Sequence, residues 1–160
     1  ARELMTDELE PAWFRCDHLH VSGYALMVEP VRAAALRAVE LAREHGAAVS
    51  VDLASWSAIR DSGLDAFVAA VRAARPDVVF ANEDEERVVG RVVDAIWILK
   101  RGARGCCFDG VERAALPVEE VVDSTGAGDA LAAGWIVGGP ELALEVAARC
   151  VGQVGAMPPG

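Results

Sequence analysis

Short apolar runs of the buried-strand type recur along this chain with helical patterns between them, and no other feature restricts its fold so much. Ala47 to Leu53, Asp77 to Ala81 and Ala95 to Leu99 are each nearly continuous in apolar residues, as strands covered on both faces are. Pro30 to His45 places Val31, Ala34, Ala35, Ala38, Val39 and Ala42 on one helical face, with a proline start and Gly46 as the stop. Gly63 to Ala74 repeats the pattern before Pro76, and Glu83 to about Val89 opens on an acidic turn favoured by the helix dipole. Strands alternating with helices imply βαβ units, hence a parallel sheet layered by helices. Ligands of such sheets bind beyond the carboxyl ends of the strands. The stretches beginning at Asn82, Lys100 and Asp123 are all expected to follow strands at that edge.

Residues 3–10 suit a short helix ended by Pro11, and His18 to Gly23 a strand closed by its glycine. His18 and His20 alternate on one face of that strand; with no third ligand nearby they read as satisfied or exposed histidines. Gly105 to Leu116 has hairpin chemistry centred on Asp109-Gly110. Ala130 to Val137 reads as a buried helix, and about Pro140 to Val154 as the last one.

With 160 residues, 53% of them hydrophobic, the chain can bury the core of one domain. Its formal net charge of −10 counts against a general nucleic-acid binder. No uninterrupted apolar run approaches the ~18 residues a bilayer crossing needs, so no membrane partner is expected and the cytoplasm is the expected location. Cys16, Cys106, Cys107 and Cys150 lack metal-ligand spacing and read as reduced, small core residues.

The chemistry concentrates in Asp123-Ser124-Thr125-Gly126-Ala127-Gly128-Asp129, which feeds the helix beginning near Ala130. Two glycines at spacing two let backbone N–H groups converge without Cβ obstruction. With the helix dipole, those groups make an anion site, phosphate being the usual occupant. Asp129 is then either a helix-start acid favoured by the dipole or a base held beside a phosphate.

This turn closely resembles the D-T-x-G-A-G-D signature of the ribokinase (PfkB) family of carbohydrate kinases. Lys100-Arg101-Gly102-Ala103-Arg104-Gly105 resembles that family's K-x-G-x-x-G segment, and Asn82-Glu83-Asp84-Glu85 its N-x-x-E motif. The first motif is specific; the other two gain weight from lying in the family's order.

The resemblance implies a ribokinase-like three-layer α/β/α sandwich with a mostly parallel sheet. It covers only the later half of such a kinase: the first half, with its sugar-binding carboxylate and lid, has no counterpart. Residues 1–160 would form a single domain, the C-terminal nucleotide-binding part, inactive alone. The implied function is ATP-dependent phosphorylation of a sugar hydroxyl. Asp129 would be the base, and the amides of Gly126, Ala127 and Gly128 the anion hole. Lys100, Gly102, Gly105 and Thr125 would bind the nucleotide. Asn82 and Glu85 would order Mg²⁺ through water, although the same pair also reads as a helix capping box. Asp123 and Thr125 would be monovalent-cation ligands, for K⁺, together with carbonyls of the tail Gly152 to Gly160. The partners are ATP and a small sugar or related alcohol, and a homodimer is among the assemblies open to such a chain. The alternatives are a nucleoside or vitamin kinase of the same family, or a non-catalytic nucleotide-binding fragment. Two departures stand out. Asp52-Leu53-Ala54-Ser55 lacks the family's D-x-N pattern, so Asp52 is given no catalytic part. Asn82 and Lys100 are only 18 positions apart, as though one helix between them were absent.

Overall fold

The computed structural model describes residues 4–156, and the strands form a mixed sheet in the order β1-β2-β3-β4-β5-β6. The chain divides into two compact units, Ala1–Ile98 and Leu99–Gly160.

In the first unit, β1 (His18–Ser22), β2 (Ala48–Asp52) and β3 (Val78–Asn82) run parallel, with Val21 opposite Val51 and Val51 opposite Val79. Val49, Val51, Val79 and Phe80 are completely buried, the condition their unbroken apolar runs require. Three helices bring matching apolar residues: α2 (Val31–Glu44) buries Ala34, Val39, Leu41 and Ala42, and α4 (Leu64–Ala74) buries Phe67, Ala70, Val71 and Ala74. The third, α3 (Trp56–Ser62), is absent from the sequence reading; Ser55 starts it by accepting the Ala58 N–H at 3.4 Å, an N-cap signal present in the chain.

One expectation for the opening residues fails. Residue 3 lies outside the described residues, and in place of a helix over 4–10 there is a 3-10 turn at Thr6–Glu8, followed by another at Pro11–Phe14. Pro11 starts the second turn, where its fixed φ fits and its missing N–H costs nothing. Gly23 closes β1 as expected, the strand ending at Ser22. It leads into a single turn, α1 (Tyr24–Met27), because its N–H reaches the Asp52 carbonyl at 2.6 Å. A Cβ at Gly23 would lie 2.6 Å from the Leu53 carbonyl oxygen, so only glycine allows the approach. The two histidines of β1 are indeed satisfied: His18 Nε2 and His20 Nδ1 each lie 2.8 Å from the hydroxyl of fully buried Ser50.

The connection from β3 to β4 (Ile96–Lys100) is as short as the 18-residue spacing implies. It consists of α5 (Glu83–Val89), a Gly90 at φ +71°, and a few irregular residues.

In the second unit, β5 (Cys106–Phe108) and β6 (Val111–Arg113) form the expected antiparallel hairpin. Asp109 and Gly110 both take positive φ at its turn, as the tight primed turns demand. Residues 116–122, expected as a strand leading to Asp123, are irregular and mostly exposed. Pro117 supplies no ladder donor and Glu119-Glu120 favour water. The segment is tied instead by the Val122 N–H on the Val151 carbonyl at 2.8 Å. The last element is α6 (Ala127–Val151), which joins the two expected helices across a break at Gly138 and Gly139 and stops short of Val154. It is long and apolar enough to cross a bilayer by length and composition. That break, followed by Pro140, would leave helix backbone groups unpaired in mid-span.

Candidate functional site

The glycine turn is held by its own carboxylate and by the end of the chain it precedes. Asp123 accepts the Thr125 N–H on Oδ1 at 2.8 Å and the Gly155 N–H on Oδ2 at 3.1 Å. These donors keep its carboxyl below the usual carboxylate range. The Asp123 N–H reaches the Val151 carbonyl at 3.3 Å, and the Cys150 thiol donates to the Thr125 carbonyl at 3.4 Å. Gly126 stands at φ +79°, with Ala156 packed so closely that a Cβ there would lie 2.9 Å from its Cα.

Gly126 is the cap of α6, so the first N–H groups of the helix have no carbonyl one turn back. The Ala127 N–H is already used, donating to the Ser124 carbonyl at 3.2 Å. Among the described residues the N–H groups of Gly126, Gly128 and Asp129 have no such partner. Of the three amides named for the expected anion hole, that of Ala127 is engaged within the fold, while those of Gly126 and Gly128 are not. The Asp129 side chain is exposed in the first helical turn, and no described residue pairs with its carboxylate.

Lys100 comes to this turn from the end of β4. A Cβ added to Gly128 would lie 3.4 Å from Lys100 Nζ, so the ammonium sits against the glycine backbone at the positive end of α6. Gly102 (φ +56°) and Gly105 (φ +97°) bound a single 3-10 turn, Gly102–Arg104, closed by the Gly105 N–H on the Gly102 carbonyl at 2.9 Å. Lys100, Gly102, Gly105, Ala127 and Gly128 all line one cavity of about 500 Å³. A lysine, free helix-start amides and a recess lined mainly by apolar side chains can together hold a polyphosphate with an attached flat ring. Cys106, Cys107 and Cys150 are buried, and burial pushes the Cys106 thiol up to about 12.

In the first unit, Asn82 and Glu85 form a complete capping box. The Asn82 side-chain oxygen accepts the Glu85 N–H at 2.9 Å. One Glu85 oxygen accepts the Asn82 N–H at 2.8 Å and the other its side-chain N–H at 2.7 Å. Glu85 is 1% exposed and Asn82 half-buried. Their oxygens are of the kind Mg²⁺ prefers, yet this arrangement uses both of Glu85's. Asp52, given no part from sequence, is buried and accepts the Ala54 N–H at 3.0 Å. Of the tail expected to supply cation-binding carbonyls, residues 157–160 lie outside the described region.

A mixed, mostly parallel sheet with helices, ending in a glycine turn that opens a helix, defines a ribokinase-like α/β fold. The model of the pfkB family carbohydrate kinases matches residues 1–157, and the chain belongs to that family. Among solved structures, adenosine kinase from Sinorhizobium meliloti is 24% identical with a TM-score of 0.85, covering 98% of this chain and 55% of that one. An Escherichia coli protein assigned as ribokinase II, solved with ATP and Mg²⁺, is 23% identical with a TM-score of 0.80, covering 96% and 58%. Aminoimidazole riboside kinase from Salmonella enterica, complexed with aminoimidazole riboside and an ATP analogue, is 21% identical with a TM-score of 0.79, covering 97% and 62%. These likenesses show the fold, and the chain spans little more than half the length of the structures it matches.

Proposed function

We propose that this chain carries the phosphate-donor part of a kinase that moves the γ-phosphoryl group of ATP to a hydroxyl of a sugar. The observation that carries the proposal is the meeting of Lys100 Nζ with Gly128 beside unpaired helix-start amides, next to an exposed Asp129 carboxylate. Phosphoryl transfer needs alignment, charge neutralisation and a proton acceptor more than covalent help. The amides of Gly126, Gly128 and Asp129 would meet the charge growing on the transferred group, and Lys100 the donor phosphates. Asp129 would receive the acceptor's proton. An ordinary carboxylate suffices, because the hydroxyl becomes strongly acidic only as its oxygen bonds to phosphorus.

Asn82 and Glu85 would hold Mg²⁺ through water, and the ion would supply charge neutralisation. With Glu85 buried in its box, the pair fits binding through water, the half-buried Asn82 being the member that meets it. Asp123 is the candidate monovalent-cation ligand, its charge otherwise met by the Thr125 and Gly155 N–H groups. Acceptors to test include nucleosides, because two of the matched structures are kinases of nucleoside-type substrates by name.

The test is ATP turnover by the full-length protein over a panel of sugars and nucleosides, repeated with Asp129→Asn. Loss of the base should lower kcat by about 10²–10⁴-fold while leaving ATP affinity nearly unchanged. Turnover that survives the substitution refutes the assignment of the base. ATP binding without turnover on any alcohol favours a non-catalytic nucleotide-binding module.

A further inference from the structure

Resting on the reading of the Lys100–Gly128 cavity as the donor site, we infer that the site takes its phosphate donor with little regard to the base, accepting purine nucleoside triphosphates as a class. The recess is walled by side chains such as Leu116, Val118, Val121 and Leu144, and among the described residues its only polar side chains are Lys100 and Ser124. Both belong to the phosphate end: Lys100 Nζ lies against Gly128, and Ser124 stands inside the glycine turn. No side-chain amide, carboxylate or further hydroxyl of the lining is left to read the edge of a base.

The backbone of the α6 wall offers little in exchange. Leu131, Leu144 and Ala147 lie within α6, where N–H and C=O groups are engaged by residues one turn away. The Val151 carbonyl is taken by the Val122 and Asp123 N–H groups. Among the irregular residues of the lining, Pro117 has no N–H to give. Adenine and guanine present similar apolar faces and differ in the donors and acceptors along one edge. An apolar pocket separates such ligands by about 10–200-fold, whereas a site built to hydrogen-bond one of them reaches about 10⁴–10⁵-fold. This wall is of the first kind.

The experiment displaces a fluorescent ATP analogue from the full-length protein with ATP, GTP and ITP at constant Mg²⁺. The expected result is that all three compete with dissociation constants within about a hundredfold of one another. Leu116→Ala, at an exposed lip position, should weaken ATP and GTP by the same factor, since it removes a face contact and no edge contact. A preference above about a hundredfold for one purine, or a Leu116→Ala effect that differs between bases, overturns base tolerance and leaves the donor-site reading intact. Failure of every nucleotide to bind overturns the donor-site reading, and base tolerance with it.

Discussion

Replacing Gly126 by alanine tests how the tail positions the glycine turn. Gly126 stands at φ +79°, ψ −3°, the left-handed region that costs a residue bearing a Cβ about 1–2 kcal/mol. The new methyl would also lie 2.9 Å from the Ala156 Cα and closer still to its Cβ, against the ~3.5–4.0 Å of an ordinary carbon contact. Relief requires the tail to move by more than half an ångström, pulling on the Gly155 N–H bond to Asp123. Overpacking of this kind costs about 1–3 kcal/mol, so the total should be about 2–5 kcal/mol. A double-mutant cycle separates the two contributions. Ala156→Gly in the Gly126→Ala background should restore the overpacking share and leave the left-handed cost in place. The assay is urea denaturation of the four proteins, with ATP affinity measured on each. If Ala156→Gly recovers nothing, the tail does not pack on the turn and the account of its positioning is wrong.

Three further outcomes are expected. Burial, and next the neighbouring His20, hold the His18 imidazole below its ordinary value of 6.5, against a smaller opposing pull from Asp77. The unfolded chain therefore takes up protons more readily as pH falls, so thermal stability should drop between about pH 7 and 5; His18→Gln should flatten that slope. Asn82→Ala removes the acceptor for the Glu85 N–H and a donor to the buried Glu85 carboxylate, and should cost at least the ~1–2 kcal/mol of a lost cap, read from the denaturation midpoint. Phe67, completely buried on α4, should cost about 3–5 kcal/mol as alanine, with ATP affinity per folded molecule unchanged.

The order of motifs along the chain was enough to give the family, and the apolar runs gave β2, β3 and β4 within a residue or two. Such signals are local: a run buried on both faces and an Asp-Gly turn each specify themselves through neighbours in sequence. In one failed strand, a distant partner decided. Residues 116–122, apolar enough to suggest a strand, are held by Val151 in place of a ladder.

The site divides in the same way. Sequence alone determined which residues could serve: the glycines that free the amides, a lysine at a strand end, an acid one residue past the turn. Only the tertiary structure decided what each group is free to do. It turned the Ala127 amide onto Ser124, brought Lys100 Nζ against Gly128, and closed Asn82 and Glu85 into a box. The reason is that a hydrogen-bonding group serves a ligand only if no partner within the fold has claimed it, and which partner claims it is settled by the folded geometry.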